Sequence, residues 1–230
     1  MLKVAQQHTA VLIFANSATQ ELEQKTFVKK PELFEALTQE TLLKVKKTGL
    51  PYFHFSEKEQ SGNSFGERFV NAIKEVYEKG YDNIIAIGND SPQLKTAHIY
   101  KAYRQLQLGK TVLGPSFDGG FYLLGLHRSN FNAPLFERLP WQRFGLLDRI
   151  SQIFKTSDSP IFRLPVFQDI DAAKDVIVLL NFTKKLTSKI QTVLNNLFFN
   201  CSVFVIDKEQ LYRYNYSFSF YNKGSPIATA

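Results

Sequence analysis

The chain has 230 residues, of which 44% are hydrophobic and 14% are aromatic, and its formal net charge at pH 7 is +7. A chain of this length and composition can bury a sizeable core, which excludes an intrinsically disordered protein. The single cysteine, Cys201, excludes an intramolecular disulfide and a cysteine-rich metal site.

The charge pattern and the apolar runs also limit the partners and the location. Lysine and arginine residues are spread along the chain, with only short pairs and no basic tract, so we predict no nucleic-acid partner. No apolar run approaches the roughly 18 residues of a membrane-spanning helix. Met1 leads directly into a polar segment, so we expect a cytoplasmic protein without a signal peptide or a membrane span.

Apolar runs and helical periods alternate along the chain, which is typical of an α/β protein. In chain order, the pattern predicts a strand at 9–15, a loop at 16–30, a helix at 31–48, a strand at 50–55, a helix that ends near 79, a strand at 84–87, a crossover helix at 95–108, strands at 111–113 and 121–126, a helix at 146–154, a strand at 161–166, and helices from near 172 and at 184–199.

Two carboxylates follow predicted strands within what reads as one βαβ unit. Asp90 comes just after the apolar run at 84–87, and Asp118 follows the run at 111–113, before Gly119 and Gly120. Open α/β sheets bind their ligands beyond the carboxyl ends of their strands. These two residues therefore predict a site that holds a metal ion or a polyphosphate, although Asp90 in the sequence NDSP also fits an ordinary turn without a ligand.

The same segments carry a resemblance to a known family. IGNDSPQL at 87–94 and LGPSFDGGFYLLGL at 113–126 resemble the paired signature of a bacterial family of GT-A-fold, nucleotide-diphospho-sugar transferase-like proteins. That family is also labelled radical-SAM/selenodomain-associated transferase, and the 2-phospho-lactate guanylyltransferases are more distant fold relatives. The resemblance implies a three-layer αβα sandwich with a mixed, mainly parallel sheet.

The resemblance also implies roles for residues of the central unit. Asp90 would hold a divalent ion, Mg2+ or Mn2+, that neutralises the leaving diphosphate. Asp118 would act as a general base or would orient sugar or acceptor hydroxyls, next to Gly119 and Gly120 in the substrate site. Trp141 matches a tryptophan that relatives place on the acceptor side, although a lone tryptophan is more often a packing residue.

The nucleotide-binding segments match the family less completely. In the first loop only Lys25 and Thr26 remain of a longer pattern whose glycine and prolines are absent here. The resemblance makes these two residues phosphate ligands. It also places Gly66 and Arg68 at the nucleotide, with Arg68 reaching a phosphate, whereas the residues alone fit an ordinary helix start with an exposed arginine.

The last motif with a counterpart in the family is QDIDAAKD at 168–175. The resemblance implies that Asp169 is a second metal ligand opposite Asp90, while Asp171 is placed to cap the following helix. We expect a GT-A-like domain at 1–183. An appendage at 184–230 follows, with a helix and two strands at 202–206 and 211–220 whose aromatic stripe is a candidate homodimer surface.

Three functions are consistent with these motifs. The first is a metal-dependent glycosyltransferase that uses a nucleotide-sugar donor, which is the function we expect. The second is a catalytically degenerate binding protein of the same fold, favoured by the eroded first loop. The third is a nucleotidyltransferase, which the loss of basic and glycine residues from that loop argues against.

Overall fold

A mixed sheet forms the centre of the protein. The computed structural model describes residues 8–29, 31–156, 159–180 and 186–199. The strands of these residues are β1 (Thr9–Phe14), β2 (Tyr52–Phe55), β3 (Asn83–Ile87), β4 (Thr111–Pro115), β5 (Phe121–His127) and β6 (Ile161–Arg163). Their spatial order is β2-β1-β3-β5-β4-β6, with β5 antiparallel to both of its neighbours and the other pairings parallel.

Helices cover both faces of this sheet. They are α1 (Ala18–Gln24), α2 (Glu32–Lys46), α3 (Phe65–Glu78), α4 (Thr96–Gln107), α5 (Ala133–Glu137), α6 (Leu146–Thr156), α7 (Ala173–Leu180) and α8 (Ser188–Phe199), with a 3-10 turn at Arg128–Asn130. None of the described helices is both long enough and apolar enough to cross a membrane.

The alternation of side chains along β1 shows why the sheet has two covered faces. Ala10 and Leu12 point into a core shared with α3, α5 and α6. Val11 and Ile13 point into a second core shared with α2 and α4. All four residues are fully buried, as expected for a strand that is apolar on both faces. The predicted three-layer αβα sandwich with a mainly parallel sheet is therefore confirmed.

The central unit differs from the expected βαβ arrangement. The crossover from β3 through α4 to β4 is present, but β5 lies between β3 and β4 and pairs with both. The connection from β4 to β5 is only residues 116–120, and a connection this short joins antiparallel strands. The carboxyl ends of β3 and β4 still lie at the same edge of the sheet, one strand apart.

The first loop also differs from the prediction, because residues 18–24 form helix α1. Ser17 is its N-cap and accepts from the backbone N–H of Gln20 at 3.3 Å. The carboxylate of Glu57 accepts from both the backbone N–H and the hydroxyl of Ser17, at 2.7 and 2.8 Å. The segment is therefore tied to the end of β2 rather than left as an open loop.

Helix α8 packs on the body of the protein through α2. Ile190 and Leu194 are fully buried in a third core with Leu33, Phe34 and Ile170. The boundary predicted at residue 183 stays a prediction. Residues 200–230 lie outside the described residues, so the predicted strands at 202–206 and 211–220, and the homodimer surface assigned to them, are not placed here.

Candidate active site

A pocket of about 500 Å³ opens at the carboxyl edge of the sheet. The loops that follow β1, β3 and β4 line it, together with the start of α3, Asp169 and Asp171. The described lining residues include five carboxylates and two cationic side chains, although the whole chain carries a net charge of +7. The pocket is therefore acidic in a basic protein.

Asp90 and Asp169 form the centre of the acidic wall. The loop after β3 carries Asp90, and the backbone N–H of Ile170 donates to the Asp90 carbonyl at 3.0 Å, which joins this loop to the 169–171 segment. Asp169 is buried and its Oδ1 accepts from the hydroxyl of Ser91. The structure thus brings together the two residues that the resemblance named as metal ligands.

The two carboxylates destabilise each other in their charged forms. Burial raises the pKa of Asp169 well above its usual range, and the nearby charge of Asp90 raises it further. Burial also raises the pKa of Asp90, where the charge of Lys25 acts in the opposite direction and those of Asp171 and Glu21 add to the increase. A pair of this kind favours a bound cation or a shared proton.

Asp118 lies in the tight turn between β4 and β5. Its Oδ1 accepts from the hydroxyl of Ser116 and from the backbone N–H of Gly120, the latter at 3.0 Å. Gly119 has φ +86°, a conformation that favours glycine, and its carbonyl accepts from the N–H of Leu147 at 3.2 Å. Asp118 and Gly120 line the pocket, whereas Gly119 belongs to the turn but does not line the pocket.

Lys25 lies inside the acidic wall, with its side chain 15% exposed. Its ammonium group donates to the carbonyl of Ile170 at 2.8 Å and lies 3.1 Å from Glu21, 3.3 Å from Asp171 and 3.7 Å from Asp90. Burial alone lowers the pKa of Lys25, but the three carboxylates outweigh it and raise the pKa above the usual value. The positive charge of Lys25 is already neutralised.

Arg68 is the other cationic residue of the pocket wall. It is the fourth residue of α3, whose N-cap is Ser64, and it lines the pocket. Among the described residues, no carboxylate forms an ion pair with its guanidinium group. Of the two predicted cationic phosphate ligands, Arg68 thus lines the pocket without a described carboxylate partner, whereas Lys25 is paired with three carboxylates.

Gly66 and Thr26 do not line the pocket. A β-carbon at Gly66 would lie 2.7 Å from Cδ1 of Trp141 and 2.7 Å from the carbonyl oxygen of Glu137, so the glycine permits close packing rather than close approach to a nucleotide. Thr26 is exposed, one residue beyond Lys25. Neither residue therefore belongs to the pocket wall that carries the carboxylates.

Trp141 belongs to an aromatic wall of the same pocket. Its indole N–H donates to the carbonyl of Phe136 at 2.7 Å, and its ring packs 5.0 Å from Phe69 and 5.2 Å from Phe65. Phe14 contacts Phe69 edge-on at 5.2 Å. Trp141 is thus a packing residue, as is usual for a lone tryptophan, and it also lines the pocket.

The other aromatic residues of this wall were not predicted from the sequence. Phe14 ends β1, Phe121 begins β5, and Phe65 lies one helical turn before Phe69 at the start of α3. All four line the pocket. Aromatic residues at the ends of predicted strands and at the start of a helix are the signal that would have pointed to them.

An additional carboxylate, that of Asp175, accepts backbone hydrogen bonds at the start of α7. Asp175 accepts from the backbone N–H groups of Asp171 and Ala172, at 3.1 and 2.7 Å. The carboxylate of Asp171, which the sequence analysis assigned to the helix cap, forms the ion pair with Lys25. Asp171 therefore contributes its charge to the pocket.

The donor set fits a divalent ion that takes few protein ligands. Among the described residues, no group of three or more His, Cys, Asp or Glu side chains is arranged to hold a metal. Mg2+ and Mn2+ at phosphate-transfer sites take one or two carboxylates, with substrate phosphates completing the coordination. The mutually repelling Asp90 and Asp169 carboxylates fit that role, in which phosphate oxygens supply the ligands that the described residues do not.

Comparison with known proteins identifies the family. Residues 5–143 match the family described as "Uncharacterized protein conserved in bacteria (DUF2064)". The chain belongs to this family. The match covers most of the pocket of this DUF2064 protein, including Arg68, Asp90 and Asp118, and ends before Asp169 and Asp171. No curated protein is detectably similar to it in sequence.

Solved structures place the DUF2064 chain in the nucleotide-diphospho-sugar transferase-like fold. A "putative nucleotide-diphospho-sugar transferase" from Desulfovibrio desulfuricans G20 is 20% identical, with a TM-score of 0.72 over 82% of this chain and 94% of that one. At this identity the likeness establishes the fold alone.

Two further structures resemble the DUF2064 chain more weakly. They are the 4-diphosphocytidyl-2C-methyl-D-erythritol synthase of Anaerococcus prevotii DSM 20548 (12% identity, TM-score 0.46, 79% and 98% coverage) and Rv0371c of Mycobacterium tuberculosis H37Rv in complex with manganese (13%, 0.41, 76% and 98%). Their TM-scores are too low to add to the assignment.

Proposed function

We propose that the protein is a nucleotide-diphospho-sugar transferase that uses a divalent metal ion and moves a glycosyl group to an acceptor. The observation that carries the proposal is the pairing of Asp90 with Asp169 in a pocket whose wall also holds Arg68. Two repelling carboxylates attract a divalent ion, and an arginine that pairs with no carboxylate of the described residues attracts a phosphate. A nucleoside diphosphate with its metal satisfies both requirements.

The acidic character of the pocket supports the involvement of a metal. A nucleoside diphosphate is itself an anion, and five carboxylates among the described lining residues would repel it. Bound at Asp90 and Asp169, Mg2+ or Mn2+ would neutralise the charge that develops on the departing diphosphate. The guanidinium of Arg68 would donate two parallel hydrogen bonds to phosphate oxygens, a geometry that lysine cannot reproduce.

The aromatic wall supports the binding of an organic group beside the phosphates. Phe14, Phe65 and Trp141 offer apolar surface, and the amide residues Asn16 and Gln60 also line the pocket. A nucleobase is flat and carries hydrogen-bonding edges, so it matches a wall of this composition. We assign this wall to the base.

Asp118 is the residue we assign to the acceptor. It faces the pocket from the β4–β5 turn, one strand away from Asp90, where Ser116 and Gly120 fix its carboxylate. A fixed carboxylate at this position can accept the proton of an acceptor hydroxyl as that oxygen attacks the sugar. Asp118 would serve as general base or as the group that orients the hydroxyl.

A catalytically inactive binding protein is the second candidate, and one specific observation favours it. Lys25 is the basic residue retained from the first loop, and Glu21, Asp90 and Asp171 already neutralise it. A lysine whose charge is already neutralised binds phosphate weakly. The same observation argues against a nucleotidyltransferase, which must hold a triphosphate at this loop.

The test is a calorimetric titration with UDP, GDP, CDP and ADP, each with and without Mn2+. We expect one nucleotide to bind only with metal, and Asp90→Asn to lose that binding. Asp148→Asn, which changes an exposed carboxylate on α6, is the matched control and should bind as the wild type does. Absence of binding of all four at millimolar concentration by folded protein would reject the proposal.

If a nucleotide binds, the corresponding nucleotide sugars separate the two candidates. Without an acceptor, a transferase slowly hydrolyses its nucleotide-sugar donor, because water takes the glycosyl group and the nucleoside diphosphate is released. Asp118→Asn should reduce this hydrolysis without weakening binding of the donor. A binding protein retains the nucleotide sugar intact.

A further inference from the structure

The ammonium group of Lys25 has more acceptors around it than it has protons to donate. It carries three N–H donors, and four acceptors surround it: the Ile170 carbonyl at 2.8 Å and the carboxylates of Glu21, Asp171 and Asp90 at 3.1, 3.3 and 3.7 Å. The ring of Phe34 lies 5.9 Å away on another side. No donor of Lys25 is left for a phosphate.

The acceptors come from separate parts of the chain. Glu21 lies one helical turn before Lys25, Asp90 follows β3, and Asp171 precedes α7. Lys25 thus crosslinks α1 to the two loops that carry the carboxylates proposed to hold the metal ion. Its positive charge lies 3.7 Å from Asp90, one of the two carboxylates proposed to hold the metal ion.

We propose that Lys25 is a resident counter-ion of this carboxylate site, which keeps the affinity of the empty protein for a free divalent ion low. The inference rests on the proposed function, in which Asp90 and Asp169 hold that ion. An ion at Asp90 would lie within a few ångströms of the Lys25 ammonium group, and the two like charges repel each other. The ion therefore binds well only when Lys25 can leave Asp90.

A nucleoside diphosphate provides the condition under which Lys25 can leave. Its phosphate oxygens accept hydrogen bonds, so an ammonium group displaced from Asp90 gains new acceptors in the same pocket. Metal and nucleotide then bind together, and neither binds strongly alone. The pocket therefore selects a metal–nucleotide complex over a free metal ion.

The test measures Mn2+ binding in the absence of nucleotide, from the electron paramagnetic resonance signal of the free ion. We expect Lys25→Gln to bind Mn2+ at least about 10-fold more tightly than the wild type, because a like charge has been removed. Glutamine still donates to the Ile170 carbonyl, which protects the fold. Lys25→Arg keeps the charge and should bind Mn2+ as weakly as the wild type.

Lys44 offers a closely matched control. Its side chain is 14% exposed, it pairs with Glu40 at 3.5 Å and it donates to the carbonyl of Pro92 at 3.0 Å, but it does not line the pocket. Lys44→Gln should leave Mn2+ affinity unchanged. Equal affinities for Lys25→Gln and the wild type, or equal tightening by Lys25→Arg, would overturn the proposal.

A measurement on the wild-type protein covers the case in which Lys25→Gln does not fold. Acetylation by acetic anhydride, read by peptide mass spectrometry, should increase at Lys25 but not at Lys44 when Mn2+ is raised to saturation. Unchanged Lys25 acetylation under bound Mn2+ would contradict the exchange. Both measurements omit nucleotide, so their results bear on the role of Lys25 alone. A failure of the protein to bind nucleotide would instead count against the proposed function.

Discussion

Gly66 and Trp141 are packed so closely that there is no room for a β-carbon on the glycine, which would lie 2.7 Å from Cδ1 of the indole. Seventy-five positions separate the two residues in the chain. The contact joins the start of α3 to the segment that follows α5 and holds the aromatic wall of the pocket in place.

We therefore predict that Gly66→Ala destabilises the protein although alanine is the better helix former. Alanine gains roughly 1 kcal/mol of helix propensity over glycine, but overpacking costs about 1–3 kcal/mol, and the backbone carbonyl of Glu137 lies as close as the indole. Urea unfolding should show a net loss. Glu78→Ala, an exposed change on the same helix, should stay within about 0.5 kcal/mol of the wild type. A Gly66→Ala protein as stable as the wild type would mean that Trp141 can move.

Arg68→Gln should weaken nucleotide binding. A charge-assisted hydrogen bond contributes about 1.5–3 kcal/mol, so the dissociation constant of the metal–nucleotide complex should rise roughly 10- to 100-fold. The dissociation constant of Arg68→Lys should lie between those of the wild type and Arg68→Gln, because lysine keeps the charge but loses the bidentate geometry. Arg104→Gln, on the exposed face of α4, is the control in the same calorimetric titration. Unchanged affinity in Arg68→Gln would move the phosphates to another part of the pocket.

Asp169→Asn should stabilise the protein at neutral pH in the absence of metal. The pKa of Asp169 in the folded protein lies above the ordinary value of 3.8, so the folded state holds a proton that the unfolded chain releases as pH rises above 3.8. Stability is therefore present at low pH and is lost as pH rises toward the folded pKa. Asparagine removes this loss and can still accept from Ser91.

Thermal unfolding with EDTA at pH 7.5 and at pH 3.5 measures this effect. The variant should melt above the wild type at pH 7.5, by on the order of 2–4 °C for each kcal/mol of relieved repulsion, and the difference should vanish at pH 3.5. Addition of Mn2+ with nucleotide should raise the melting temperature of the wild type more than that of the variant. A lower melting temperature for Asp169→Asn at pH 7.5 would show that the charged form of Asp169 is stabilised by a partner.

Ile190→Ala should show that α8 belongs to the folding unit of the domain. The side chain is fully buried against α2, and truncation of such a residue costs about 2–5 kcal/mol. Asn195→Ala, an exposed change on the same helix, should have little effect. If Ile190→Ala changes the free energy of unfolding in urea by less than about 0.5 kcal/mol, α8 is an appendage and the boundary at residue 183 is supported.

Much of the architecture could be predicted from the sequence. Continuous apolar runs such as the one that forms β1 require cover on both faces, which determines a three-layer arrangement. Asp90 and Asp118 follow apolar runs that end at the same edge of the sheet, so their proximity to one pocket follows from strand direction alone. The antiparallel direction of β5 was also available from its short connection to β4, but its place between β3 and β4 was not.

The tertiary structure decided what the individual side chains do. The sequence identifies Lys25 as a basic residue in a nucleotide loop. Only the fold shows that Asp90 and Asp171, at 65 and 146 positions along the chain from it, neutralise its charge. In the same way, only the fold turns Gly66 into a packing contact and leaves Arg68 facing the pocket. Strand order and helix docking bring distant residues within ångströms, and the electrostatic environment of a side chain depends on those distances.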